Sequence, residues 1–279
     1  MAELIGILLS VFAGFFFGTY FVPMKKIKDI DLYQYQFFAG IGILLVGIAS
    51  LFIFNISFEI NAGIITGIMW AIANLLAANA LKHVGMSKFP LAQATVVLVS
   101  FLWGVVFFQE PFQSVLLAIV GILFLILGIP LIAVSEDRSK TLTKGFVLLF
   151  LAGIIWGSTF VVPLLLKIEV NKLIFPISLG AFLSGVLLLV IKGLKFEMRT
   201  AYTSIFSGML WSIGNAASVL ALGIIGLALA GPLSQVAILF SVGWGLFYFK
   251  DVKTTSKTIK IIIGGIMLVL GAILLAVSK

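Results

Sequence analysis

Two words in the chain, "GIMWAIAN" at 67–74 and "GMLWSIGN" at 208–215, place a glycine, an indole and a carboxamide at one spacing, 141 residues apart. Within each word the Trp and the Asn stand four residues apart. On a helix Trp70 therefore shares a face with Asn74, and Trp211 with Asn215. An indole offers a flat apolar face and one N–H, and a carboxamide offers donors and an acceptor together. That pairing suits a ring that carries hydroxyls. Two further amides, Gln93 and Gln235, follow Pro90 and Pro232 by three residues. A proline fits the first turn of a helix, which puts each glutamine one turn in, on the proline's side. Four side chains with hydroxyls, Thr19, Tyr20, Ser158 and Thr159, stand between a glycine and a proline in "GTYFVP" (18–23) and "GSTFVVP" (157–163).

Each of these residues also has a purely structural reading. A carboxamide in an apolar bundle can glue two helices together, worth about 0.6–2 kcal/mol. A deep Trp can simply pack. A glutamine near a helix start can hold register, and hydroxyls before a proline can satisfy the backbone groups that the proline frees. Both readings stand open at every position.

The elements that must position these groups are membrane spans. The chain is 62% hydrophobic and 10% charged over 279 residues, whereas soluble domains carry about 25% charged residues. Charged residues divide it into ten apolar runs, at 2–22, 33–54, 62–81, 86–108, 113–134, 145–166, 174–191, 203–223, 226–249 and 258–278. Each reaches or approaches the length of a bilayer crossing. "MAEL" has no basic region of the kind that opens a signal peptide, so the first run is expected to remain as a span. No loop is long enough to fold by itself, so the chemistry is expected inside the bilayer. There is no cysteine, which removes thiol chemistry.

The net charge of +8 is spread in ones, twos and threes at span ends, which reads as a topology signal and against nucleic acid. Loops after odd-numbered spans hold fifteen of the eighteen Lys and Arg residues. The other side has only Lys167, Lys172 and Lys279. The positive-inside rule then puts the odd loops in the cytoplasm and both termini outside a cell membrane.

The matched words are part of a longer duplication. "AGFFFG" (13–18) matches "AGIIWG" (152–157), "FPLAQ" (89–93) matches "GPLSQ" (231–235), "LWGVVFFQE" (102–110) matches "GWGLFYFKD" (243–251), and "GILFLILGIPLIAVS" (121–135) matches "GGIMLVLGAILLAVS" (264–278). Their order is preserved and their offsets drift by only a few residues. The expected fold is all-α and polytopic: ten transmembrane helices in two five-helix repeats, residues 1–138 and 144–279. Five is odd, so the second repeat enters the membrane inverted, a device of secondary transporters whose substrate lies near the midplane. Gly14 with Gly18, Gly63 with Gly67, and Gly153 with Gly157 are small-residue pairs that let helices approach closely. Pro23 and Pro163 are expected to kink or end their helices.

Gly-x-x-Trp-x-x-x-Asn in the third span, Pro-x-x-Gln opening the fourth, and Trp-Gly with an acid closing the fourth, each present twice, resemble the drug/metabolite transporter superfamily. Within it the chain resembles the glucose/ribose porter branch, with "FFGTYFVPMKKI" (16–27) similar to that branch's first span and basic exit. The resemblance covers nearly the whole chain. It implies sugar uptake, and it places Gln93 and Gln235 in the binding region.

Missing residues narrow the function further. All ten acids lie at span ends or in loops. The small multidrug resistance relatives depend on an intramembrane Glu, and the first and sixth spans here have none. No Lys or Arg sits in mid-span to meet a phosphate. No phosphate-binding glycine motif, nucleophile–base set or metal-ligand cluster appears, so an enzyme, a cofactor or ATP drive is not expected. The expected partners are a small-molecule substrate and the lipid bilayer, in a monomer or homodimer. Two functions remain: a secondary transporter or facilitator for a neutral hydroxyl-rich solute (a sugar or polyol), or an exporter or exchanger of amino acids and other metabolites. A proton-coupled mechanism would have to use Glu110 or Asp251 at the span ends.

Overall fold

The computed structural model describes residues 2–55, 59–109, 113–134, 140–193, 197–225 and 227–278. Among them are thirteen α-helices and no strand: α1 (Ala2–Thr19), α2 (Phe21–Lys25), α3 (Leu32–Ile53), α4 (Gly63–His83), α5 (Pro90–Leu102), α6 (Val115–Ile132), α7 (Lys140–Ser158), α8 (Val161–Leu165), α9 (Ile174–Lys192), α10 (Met198–Ile225), α11 (Leu227–Ser234), α12 (Ala237–Gly243) and α13 (Thr255–Val277). Among the described residues, nine helical stretches are long and apolar enough to cross a membrane. Large apolar side chains such as Phe52, Val106, Leu116 and Val190 point outward, as lipid requires.

A further apolar segment beside α1 is built in pieces. Ile225 lies against Gly6 near the start of α1, and Asp251 lies against Lys25 at the end of α2. In between, Gly14 meets Val236 and Gly18 meets Phe240. The segment 227–248 therefore runs the length of α1–α2, but it is interrupted at Gln235 and Val236. The sequence had placed Pro232 in a first helical turn with Gln235 one turn in. Instead α10 continues to Ile225, α11 begins at Leu227, and Pro232 falls inside α11. A proline within a helix strips hydrogen bonds from the turn around it, and here the helix ends two residues later, at Ser234. Pro90 does start α5, as its missing N–H favours.

Pro23 and Pro163 act earlier than expected. A proline ring collides with the carbonyl four residues back, and those residues are Thr19 and Thr159. The helix is broken at these positions: α1 ends at Thr19 and α2 starts at Phe21, while α7 ends at Ser158 and α8 starts at Val161. Each proline is then the third residue of a short helix.

Close approaches at glycine fix the helix directions. Gly63 abuts Leu173 and Pro176, and Gly67 abuts Ile177 and Ala181, so α4 runs parallel to α9. Gly40 meets Phe182 while Gly47 meets Phe175 and Ser178, so α3 is antiparallel to α9. Gly208 sits on Ala39, and the Ser212 hydroxyl donates to Ile43 O, so α3 is parallel to α10. It follows that α4 and α10, which carry the two matched words, run antiparallel.

The main helix contacts come in exchanged pairs. α1 packs on α10 as α4 packs on α7, α3 on α10 as α4 on α9, and α1 on α11 and α12 as α7 on α5; α3 pairs with α9, and α6 with α13. Gly14 and Gly18 serve the α1 contacts, and Gly153 and Gly157, against Thr95 and Val99, serve those of α7.

A Cβ at Gly208 would lie 2.0 Å from Ala39 O, which is backbone and cannot turn aside, whereas one at Gly243 meets nothing within 4 Å. Gly208→Ala should therefore destabilise the protein by about 1–3 kcal/mol, the usual cost of overpacking. Gly243→Ala should be neutral or stabilising by about 0.5–1 kcal/mol. Thermal melting of the two variants in one detergent checks the contrast.

Candidate functional site

The two indoles of the matched words meet where α4 and α10 cross. The rings of Trp70 and Trp211 are 4.1 Å apart between centroids, tilted by 36°, and both are buried. Because the helices are antiparallel, Asn74 and Asn215 lie on opposite sides of this pair, each about one turn, roughly 6 Å along its axis, from its own Trp. The two amides have different surroundings. Asn74 Nδ2 donates to Gln36 Oε1 at 2.8 Å, and both side chains are fully buried. Asn215 is buried as well, but its Nδ2 finds no acceptor among the described residues.

Around this centre the hydroxyls make two matching sets of bonds. Thr66 Oγ1 donates to Thr159 O at 2.9 Å, and Ser207 Oγ donates to Tyr20 O. Each hydroxyl belongs to the residue just before the glycine of a matched word. Each satisfies a carbonyl at the break in the opposite first or sixth span. The Tyr35 hydroxyl joins Ser207 at 3.0 Å. Trp103 Nε1 donates to Ser158 Oγ at 2.9 Å, and Trp244 Nε1 donates to Thr19 Oγ1 at 3.0 Å. Both of these indoles open a single π-helical turn, Trp103–Phe107 and Trp244–Tyr248, a widening often found where a helix serves a site. Ser158 also donates to Ile154 O, and Thr159 Oγ1 donates to Trp156 O, so these two do satisfy local backbone.

The remaining expected residues are placed as follows. Gln93 is buried, and its Oε1 accepts from Ser241 Oγ of α12 at 3.2 Å. Gln235 sits half-buried in the break between α11 and α12. The Tyr20 ring packs on Phe21 and Phe89. Trp156 Nε1 is buried without an acceptor among the described residues. Sequence reasoning missed Gln36, Thr66 and Ser207. The last two carried a signal, since a hydroxyl precedes the glycine in both words.

The two ends of the bundle are tied by ions. Asp251 Oδ1 takes Lys25 Nζ at 2.9 Å while its Oδ2 accepts from Ser87 N at 2.9 Å, and Lys25 also lies 4.9 Å over the Phe249 ring. At the other end Lys172 Nζ meets Glu59 Oε1 at 3.0 Å, and Asn61 Nδ2 donates to Lys172 O. The Glu59 bond raises the Lys172 pKa. Glu110, the other acid named for proton coupling, lies outside the described residues.

Residues 6–278 match the family model for sugar transport protein. The chain belongs to that family. A Listeria innocua protein named for sugar uptake is 30% identical over 228 residues, 79% of each chain. The glucose uptake protein of Bacillus subtilis is 25% identical over 286 residues, covering 98% of both chains. A Priestia megaterium protein named for glucose uptake is 24% identical over 98% of this chain and 99% of its own. A solved crystal structure superposes with a TM-score of 0.67 over 96% of this chain and 95% of that one. At 14% identity that likeness speaks to the fold alone. The chain is a multi-pass membrane transporter and not an enzyme.

Asp251 and Lys25 are mostly withdrawn from water, with side-chain exposures of 10% and 18%. Asp251→Asn strands the lysine, and Lys25→Met strands the carboxylate. Each single change should cost up to about 3–5 kcal/mol. The double variant should recover a large part of that loss. Melting temperatures of the four proteins in a double-mutant cycle check it.

Proposed function

We propose that this chain takes up a sugar or a closely similar polyol by alternating access between two inverted five-helix halves, residues 1–138 and 144–279. The observation that carries the reading is the Trp70–Trp211 contact at an antiparallel crossing, with a carboxamide one turn away on each side. As the indoles separate toward one face or the other, the solute meets a flat apolar ring and an amide. This gives stacking and hydroxyl recognition without charge. The exchanged helix pairs and the matched hydroxyl bonds support the inverted arrangement.

The acids of the chain lie at span ends or in loops and not in mid-span, which favours a neutral solute. The names of the relatives favour sugar over the amino-acid alternative. The odd loops face the cytoplasm of a cell membrane in this reading, with both termini outside. Asn215 then lies toward the outer face and Asn74 toward the inner one. The contacts between chain ends agree: Lys25, Ser87 and Asp251, all from odd loops, meet one another, and Glu59 and Lys172, both from even loops, meet each other.

Purified protein in liposomes should carry glucose, or another member of a monosaccharide and polyol panel, saturably and in preference to a panel of amino acids. Preference for an amino acid would reverse the assignment. Asn215→Leu removes no protein hydrogen bond from Asn215 Nδ2. It should leave folded yield intact and weaken solute affinity about 5–150-fold, the equivalent of about 1–3 kcal/mol for a buried partner left unmade. Asp251 is engaged by Lys25 and Ser87, so flux should depend only weakly on an imposed pH gradient. A steep dependence that survives Glu110→Gln with Asp251→Asn would refute that energy source. Single cysteines replacing Lys253 and Ile60 test sidedness, since the chain has no cysteine of its own. An impermeant thiol reagent added outside intact cells should label position 60 and spare position 253.

A further inference from the structure

The two sides of the indole pair are not equivalent, and the difference lies in one residue. Gly42 faces Ile205 O and Gly180 faces Ile64 O, where an added Cβ would come within 2.1 and 2.2 Å. These twin contacts set α3 and α9 in register with each other. Six residues before each glycine stand Gln36 and Ile174. Where Asn74 finds the Gln36 amide, the second half offers an isoleucine, which packs with Ala216 and Val219 beside Asn215. The missing amide explains why Asn215 Nδ2 has no acceptor. Ile174 also shows that the fold tolerates an aliphatic side chain at this register.

Gln36 is fully buried, and only half of its amide is used. Oε1 accepts from Asn74, while Gln36 Nε2 and Asn74 Oδ1, the free ends of the pair, have no partner among the described residues. If Gln36 served only to glue α3 to α4, the amide left over would be a standing cost, because an unpaired donor inside a bundle forfeits its water without recompense. A bound solute with acceptor oxygens removes that cost.

We infer that Gln36 is a specificity-determining residue of the transport site: Asn74 orients its amide, and its Nε2 donates to one hydroxyl oxygen of the sugar on the Asn74 side of the Trp70–Trp211 pair. This rests on the sugar reading proposed above. The second half has no such donor at the Ile174 position, so the solute is read by one amide on the Asn215 side and by two on the Asn74 side.

The test is Gln36→Ile, which copies the native arrangement at Ile174. D-glucose and its monodeoxy analogues are compared in liposomes, with KM and maximal rate measured separately. The KM for glucose should rise about 5–150-fold, the penalty of a lost hydrogen bond to a buried donor. One monodeoxy analogue, which lacks the hydroxyl that Gln36 reads, should show no further rise, because its bond is already absent in the wild-type protein. The inference is overturned if KM is unchanged across the panel while only melting temperature or maximal rate falls. It is equally overturned if KM rises by the same factor for every analogue. Saturable sugar flux in the wild-type protein keeps these outcomes distinct from failure of the sugar reading. Its absence would sink that reading, and the role of Gln36 with it.

Discussion

Backbone broken inside hydrocarbon must find hydrogen-bond partners, and much of this bundle is arranged around two such breaks. Pro23 and Pro163 each force a break about one turn upstream, and the bilayer holds no water to cover the exposed backbone. Thr66 bonds Thr159 O, the carbonyl that Pro163 displaces, and Ser207 bonds Tyr20 O, one residue after the carbonyl that Pro23 displaces, each reaching from the third span of the opposite half. For a short hydroxyl to reach, the helices must nearly touch. The next residue in each case is the glycine, Gly208 or Gly67, that lets them. The Trp follows three residues later and the Asn four beyond that. One requirement, the capping of a broken helix, thus fixes the position of the indoles and amides of both words.

That dependence gives the repeated words a physical meaning. The glycine seats the helix, and the hydroxyl before it staples the break. The indole then falls at the crossing, with the amide on one side of it. Because the two helices are antiparallel, the same word read twice places its amides at opposite ends of a shared indole contact. A similar pairing recurs at the flanks, where Trp103 holds Ser158 and Trp244 holds Thr19. These bonds join the fourth span of each half to the first span of the other. Both are made in this conformation, so the broken helices are held on both sides at once.

Much of this was legible in the sequence because a duplication marks what both halves need. The apolar runs, the glycine pairs, the Trp–Asn words and the two prolines could all be read from the matched segments. What the halves do not share was much harder to see. Gln36 has no twin, since Ile174 stands in its place, so the repeated words do not reveal it. The interruption at Gln235 was hidden for a different reason. Pro232 looks like the start of a helix when the loop before it is assumed, and the packing of Ile225 on Gly6 removes that loop. The ties between Lys25 and Asp251 and between Lys172 and Glu59 depend on which chain ends meet, and no local pattern encodes that.

The differences between the halves bear on direction. Two identical halves exchanged by a two-fold axis would make the inward-open and outward-open states superposable by rotation and equal in energy, and no side of the membrane would be preferred by the protein itself. Here the side of the indole pair that carries Asn74 has a second amide, and the one that carries Asn215 has an aliphatic neighbour. The span beside α1 is broken at Gln235, while its counterpart α5 runs unbroken through Gln93. In the proposed cycle each difference would change the energy of one open state without the other. In the proposed alternating-access cycle a pseudo-symmetric scaffold would supply two states, and the residues that break the pattern would set how unequal they are.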